Sequence, residues 1–175
     1  MPATKTVKLK TTNPRASRMT TPGYGFEGAK SPPGKKMSWS AVERKLKQAR
    51  NYWIGTSGPD GRPHSAPVWG IYLDRVFYFS TGDSSVKGRN LARDPRVTVH
   101  PELIDDAIIL EGSVEKVKAS PKLSPVWKSY KTKYKWGVEG SDFYALRPTT
   151  VFSYTEPDFI ETATRWSFAG RRKRG

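Results

Sequence analysis

Between Asn51 and His100 the hydrophobic period of the chain changes twice, and this limits the fold more than any other stretch. From Asn51 apolar residues follow a period of two: Tyr52, Trp53, Ile54 and Gly55 run into Ser57-Gly-Pro-Asp-Gly61, a cluster of turn formers, and a second strand follows from Pro63 to Leu73. Asp74 and Arg75 form a tight reversal into Val76 to Ser80, where Phe77 and Phe79 share one face and Val76 and Tyr78 the other. A three-stranded meander is predicted. After Thr81 and Gly82 the spacing turns helical from Ser85 to Arg93, and Asp94-Pro95 ends the helix. A β-ribbon is thus laid directly against a short helix.

The flanking sequence continues in the same style. Ser40-Ala-Val-Glu43 has the form of a capping box, and Val42, Leu46 and Ala49 recur at helical spacing, which predicts an amphipathic helix over residues 40–49. Strands are expected at Arg96 to His100, Asp106 to Val117, Thr150 to Tyr154 and Ala163 to Phe168, with a helix over about 121–135 carrying Trp127, Tyr130 and Tyr134. Six or seven mostly antiparallel strands with three short helices describe a mainly β, α+β barrel with helical plugs. Strand–helix–strand alternation is missing, which argues against a doubly wound sheet. Trp53, Phe77, Phe79 and Phe152 are expected in the barrel core. Trp127, Tyr130, Tyr134 and Trp136 suit either packing on the barrel or the mouth of a substrate site.

Charge is unevenly distributed. The chain has 31 Lys and Arg against 16 Asp and Glu, a formal net charge of +15. Residues 1–37 hold eight of the basic residues and one acid, Glu27, among many Thr, Ser, Pro and Gly, and residues 171–174 are all basic. The intervening body, 38–170, is only mildly basic. Three parts are therefore expected: a mobile basic arm over 1–37, a folded domain over 38–170, and a basic tail over 171–175. Excess charge confined to termini gives salt-sensitive, non-specific attraction to polyanions rather than a built nucleic-acid surface. Cysteine is absent, so disulfides, thiolate nucleophiles and cysteine metal sites are excluded. The only histidines, His64 and His100, lack ligand spacing. His64 is expected to be structural or exposed. No apolar run reaches the length of a membrane span or signal segment, and a cytoplasmic protein is expected.

Two segments invite a phosphate reading. Gly23-Tyr-Gly25-Phe-Glu-Gly28 matches the dinucleotide fingerprint in letters, but no strand precedes it and Ala29-Lys-Ser-Pro-Pro33 follows where a helix should begin. Thr81-Gly-Asp-Ser-Ser-Val-Lys-Gly-Arg-Asn-Leu91 has the right context: a strand ends, Gly82 allows a bend, and serines open a helix whose free N–H groups and positive dipole end favour an anion. Lys87 adds a point charge and Asn90 lies three residues on, on the same face. These eleven residues alone fit equally a capped surface helix with solvated side chains.

In order along the chain stand Pro59-Asp-Gly-Arg-Pro-His64, Pro67-Val-Trp69, Tyr78-Phe-Ser-Thr-Gly82, Ser85-Val-Lys-Gly-Arg-Asn-Leu91, Arg93-Asp-Pro-Arg-Val97, Glu111-Gly112 and Thr162-Ala-Thr-Arg-Trp166. Together they resemble the split β-barrel flavin and deazaflavin oxidoreductases, the pyridoxamine 5′-phosphate oxidase-like superfamily, and within it the branch that uses coenzyme F420. The resemblance spans about residues 38–168. It implies an FMN-binding type split barrel in which Pro67, Val68 and Trp69 lie along the cofactor ring, and Ser80, Thr81, Ser85, Lys87 and Asn90 surround the phosphate and ribityl chain. It also implies that Arg165 and Trp166 reach the cofactor site, from a partner subunit of a homodimer with sites at its interface. The reaction implied is hydride transfer from reduced deazaflavin to a small unsaturated or conjugated acceptor. FMN remains open as cofactor, as does a non-catalytic flavin or tetrapyrrole carrier. Some relatives have a second basic residue where Ser85 stands, which places more weight on Lys87.

Overall fold

Residues 14–19 and 37–168 are described by the computed structural model of the chain. Ser38 starts the first helix, α1 (Trp39–Gln48), by accepting the Ala41 N–H on its Oγ at 3.2 Å, one of the donors that a helix start leaves free. The cap is Ser38 rather than the expected Ser40, whose hydroxyl instead lies 2.9 Å from that of Ser38. Trp39, Val42 and Leu46 then fall on one buried stripe.

The strands are β1 (Arg15–Arg18), β2 (Tyr52–Ser57), β3 (Pro63–Val68), β4 (Gly70–Leu73), β5 (Val76–Phe79), β6 (Arg96–Pro101), β7 (Asp106–Val117), β8 (Phe143–Thr155) and β9 (Thr164–Ser167). The helices after α1 are α2 (Val86–Arg93), α3 (Ser124–Tyr134) and α4 (Phe159–Thr162). Every ladder is antiparallel, in the order β1-β9-β8-β7-β6-β2-β3, while β5 pairs with both β4 and β8. The expected strand from Pro63 to Leu73 is broken at Trp69, so the three-stranded meander is not formed. Its first half pairs with β2, from Ser57↔Pro63 to Tyr52↔Val68, and its second half pairs with β5, from Gly70↔Phe79 to Leu73↔Val76. The barrel therefore closes through the covalent chain at Trp69, and the path from β2 through β6, β7, β8, β5 and β4 returns to β3 without a β3–β5 ladder. β3 is an edge strand, as its two prolines require.

The mainly β, α+β class holds, with nine strands among the described residues rather than six or seven. The expected 150–154 strand extends back to Phe143, because Phe143-Tyr-Ala-Leu146 is covered on both sides. Tyr144 and Leu146 face the barrel cluster, and Phe143 packs with α3. Such a strand reads as an unbroken apolar run, not as an alternation. Part of the basic arm is also folded, since Arg15–Arg18 pair with β9. Residues 1–13 and 20–36 of the arm, including the Gly23–Gly28 segment, and the 171–175 tail lie outside the described residues.

One register expectation is corrected. Tyr52 and Ile54 are wholly buried in the main core with Phe77, Phe79, Val99, Leu110, Leu146 and Val151. Alternation then turns Trp53 outward, and Phe152 likewise, since its neighbours Val151 and Ser153 point in. On the outer face Trp53 is flanked by its ladder partners Pro67 and His100, and Phe152 by Ile109 and Arg165. A second cluster joins Val126, Tyr130 and Tyr134 of α3 to Ile71 and Phe143, so Tyr130 and Tyr134 serve packing, whereas Trp136 is 64% exposed. Among the described residues no helix is long and apolar enough to cross a membrane.

The inner and outer registers separate in stability. Ile54→Ala should cost about 2–5 kcal/mol by urea unfolding, and Phe152→Ala only about 1 kcal/mol under dilute, monomeric conditions; equal costs would contradict the register.

Candidate cofactor site

The segment between β5 and α2 forms a tight, braced turn. The Ser85 N–H donates to the Gly82 carbonyl at 3.1 Å, and Ser85 Oγ accepts the Gly88 N–H at 3.0 Å while lying 3.1 Å from Thr81 Oγ1. Gly88 is fixed by contact: a Cβ there would stand 2.3 Å from the Gly82 carbonyl oxygen and 2.9 Å from that of Asp83. The turn is also held from the side, where Lys116 of β7 donates to both Asp83 carboxylate oxygens at 2.6 Å. That hydrogen bond is the main reason the Asp83 carboxyl sits below its ordinary range. The loop's own anion is thus neutralised. What remains at the head of α2 is an exposed Ser80, an open space at Gly82, and Lys87, which makes no ion pair or hydrogen bond among the described residues.

Beside this turn the chain bends at Trp69. Val68 is buried, Pro67 is exposed, and the Trp69 ring, 39% exposed, stacks on Tyr134 with centroids 4.7 Å apart and planes 7° from parallel. Gly70 is required at the bend, because a Cβ would lie 2.2 Å from the buried Phe77 ring. Its N–H donates to Tyr134 Oη at 2.9 Å, and its carbonyl accepts from Tyr134 Oη at 2.9 Å and Lys133 Nζ at 3.1 Å. Lys133 also donates to Tyr52 Oη at 2.9 Å and lies over the Tyr52 ring, 4.8 Å from its centroid. Burial, helped by the nearby Arg50 cation, holds the Lys133 ammonium down to about 8. Burial also pushes the Tyr134 hydroxyl up to about 12.

The structure therefore brings Ser80, Thr81, Ser85 and Lys87 into one turn and places Pro67, Val68 and Trp69 on the edge strand and bend. Two of the expected site residues have buried side chains. Asn90 is buried and donates from Nδ2 to Thr56 Oγ1 at 3.1 Å, so it fastens α2 to β2. Trp166 is core, its Nε1 donating to Ser153 Oγ at 2.8 Å and its ring 5.3 Å from that of Trp39. The alternation that buries Trp166 exposes Arg165, which lies on the outer face with its guanidinium near Thr150 Oγ1 and Ser167 Oγ. The sequence reading missed Asp83, Lys116, Lys133 and Tyr134 as supports, since these contacts join residues far apart in the chain. Two cavities adjoin the region. One of about 320 Å³ lies behind the turn, against Asp83, Gly88, Lys116 and Tyr144. The other, about 730 Å³, runs over the outer face between His64, Ser65, Arg96, Thr98, His100 and Glu111. Neither is lined by the ten expected residues, so the turn and the β3 edge form an open seam rather than an enclosed pocket.

A family profile described as Pyridoxamine 5′-phosphate oxidase matches residues 39–155. Similar solved structures include a conserved hypothetical protein from Mycobacterium tuberculosis, at 24% identity and TM-score 0.63 over 73% of this chain and 90% of that one. Another, titled F420 Reductase, matches at 21% identity and TM-score 0.52 over 62% of this chain and 94% of that one. A pyridoxamine 5′-phosphate oxidase-related, FMN-binding protein from Nostoc punctiforme matches at 15% identity and TM-score 0.52, covering 76% and 87% of the two chains. At these identities the solved structures show the fold alone. No protein of curated function matches in sequence.

The buried lysine gives a pH test. Its folded value of about 8 lies below the ordinary 10.5, so its charged form is disfavoured by folding. The penalty is full below the folded value and fades as pH rises toward the ordinary one. Relative to Lys133→Met, the wild type should gain urea stability across that interval. A constant difference between the two would contradict the burial.

Proposed function

We propose that this chain, which belongs to the pyridoxamine 5′-phosphate oxidase family, is a cytoplasmic, coenzyme F420-dependent oxidoreductase that passes a hydride to a small unsaturated or conjugated acceptor. The observation that carries the reading is the braced turn at the head of α2, where the unpaired Lys87 stands beside a helix start and an open glycine. The fit to a phosphate ester is direct. Ser85 Oγ already accepts the Gly88 N–H, which leaves the hydroxyl proton and the first-turn N–H groups as donors, with Lys87 as the cation. Ser80 and Thr81 lie at the same corner, suited to the ribityl chain. The edge of β3 from His64 to Val68, with Trp69 at its end, offers backbone groups and an apolar surface along which a ring can lie.

When bound, the deazaflavin or flavin supplies the hydride chemistry, and the chain's task is to grip, orient and exclude water. No side chain is assigned as general acid or base, and the proton for the acceptor is drawn from solvent. The anionic oligo-γ-glutamate tail of the deazaflavin suits the basic field of the domain. Lys122, Lys128, Lys131, Lys133 and Lys135 occur in a stretch with no acidic residue between Pro121 and Trp136. FMN is the second reading, because it presents the same ring, ribityl and phosphate to the seam. A homodimer completes the site: Trp53, Pro67, Ile109 and Phe152 on the outer face, beside the groove of about 730 Å³, form the surface that a second copy would cover. Arg165, exposed on that face, is the residue we assign to reach the partner's site.

Competitive titration with coenzyme F420 and FMN, followed by absorbance, decides between cofactors; loss of reduced-deazaflavin absorbance with an added enone or quinone separates an enzyme from a carrier. Lys87→Ala should weaken cofactor binding by roughly 1.5–3 kcal/mol, the scale for a hydrogen bond to a charged group. Unchanged affinity would remove Lys87 from the site. Phe152→Arg should shift sedimentation from dimer to monomer and abolish cofactor binding; a dimer that persists would overturn the proposed interface.

A further inference from the structure

We infer that Lys133 and Tyr134 are positioning residues for the ring-facing strand: their side chains stand in for the β2 neighbour that the strand loses before Gly70 and so fix the bend that carries Pro67, Val68 and Trp69 past the site. The inference rests on the proposed ring contact along that strand.

The hydrogen bonds close without a surplus. β2 accompanies β3 as far as the Tyr52↔Val68 pair, and the peptide groups of Gly70 lie just beyond that ladder. Both are claimed by α3. The Gly70 N–H donates to Tyr134 Oη, and the Gly70 carbonyl accepts from Lys133 Nζ. With that carbonyl satisfied by the ammonium, the single proton of Tyr134 is free to reach the Arg50 carbonyl at 2.8 Å. Lys133 donates a second proton to Tyr52 Oη, which itself donates to the Leu46 carbonyl. Two adjacent residues at the end of one helix therefore tie the end of α1, the start of β2 and the first residue of β4. Removing either leaves a buried backbone group of Gly70 with a weaker partner or none. Tyr134 acts on the next residue as well, because its ring is the face on which Trp69 is stacked. A lysine is unusual in this place. Its ammonium is partly desolvated among Tyr52, Tyr134 and Arg50 with no carboxylate beside it, a cost that a purely packing role could avoid with methionine.

The test uses the full chain and separates ring from phosphate. Wild type, Lys133→Met and Tyr134→Phe are titrated with coenzyme F420, with FMN and with the phosphate-free ring-and-ribityl fragment of each. Both variants should lose affinity by on the order of tenfold for cofactor and fragment alike, so the cofactor-to-fragment ratio stays at the wild-type value. Lys87→Ala should change that ratio and leave the fragment unaffected. Variants with lower thermal stability but unaltered affinities, or with an altered ratio, would overturn the inference. A wild type that binds neither cofactor would instead sink the proposed function, and the clamp is then read from amide hydrogen exchange. Tyr134→Phe and Lys133→Met should speed exchange at Gly70, and unchanged exchange there would refute the clamp itself.

Discussion

The fold depends on a change of neighbours at one point of the chain. Up to Val68 the strand is hydrogen-bonded to β2, and from Gly70 it is hydrogen-bonded to β5, so the barrel is closed by a covalent bend instead of a ladder. Two contacts make the bend stable. The Phe77 ring occupies the space a side chain at position 70 would need, and α3 supplies partners to the Gly70 peptide groups. A straight strand would have kept β3 and β5 side by side and sealed the barrel. Instead β3 keeps a free edge, β5 runs out into a turn, and the seam between them is the candidate site.

Rigidity around the seam is unequal in a useful way. The turn before α2 is constrained by the Ser85 cap, by the lack of room at Gly88 and by the Asp83–Lys116 pair. The helix is fixed to β2 by Asn90 and by Arg93, which donates to the Ser57 carbonyl. Lys87 makes no ion pair or hydrogen bond among the described residues. Donors held in place before a ligand arrives lose little conformational entropy on binding, which favours affinity for a compact anion. Several other basic residues of the body are held in ion pairs, as in Lys45–Asp106 and Arg96–Asp94.

Much of this was legible in the sequence, and the failures have physical causes. The α2 turn was readable because its chemistry is local: serine caps, glycine and lysine act within one helical turn. The strands with one buried face, β6 and β7, showed their alternation directly. The break at Trp69 was not readable, because Pro63 to Leu73 has strand-forming residues on both sides of it and the bend is set by Phe77 and α3. Phe143 to Leu146 escaped because a strand covered on both faces loses its period. Trp53 and Phe152 were misplaced because large aromatic residues were assigned inward, whereas Tyr52, Ile54 and Val151 hold the interior. The family resemblance named Trp166 and Arg165 together, and strand alternation separates them, with Trp166 buried and Arg165 exposed.

The most direct test of the account is amide hydrogen exchange with and without saturating coenzyme F420 or FMN. Slower exchange confined to the β3 edge and Trp69 bend, to the turn from Ser80 to Gly88, and to outer-face strands at the proposed subunit boundary is the predicted result. Slowing confined to the groove between His64, Arg96 and Glu111, with Ser80 to Gly88 unchanged, would contradict the assignment of the phosphate and the ring to this seam.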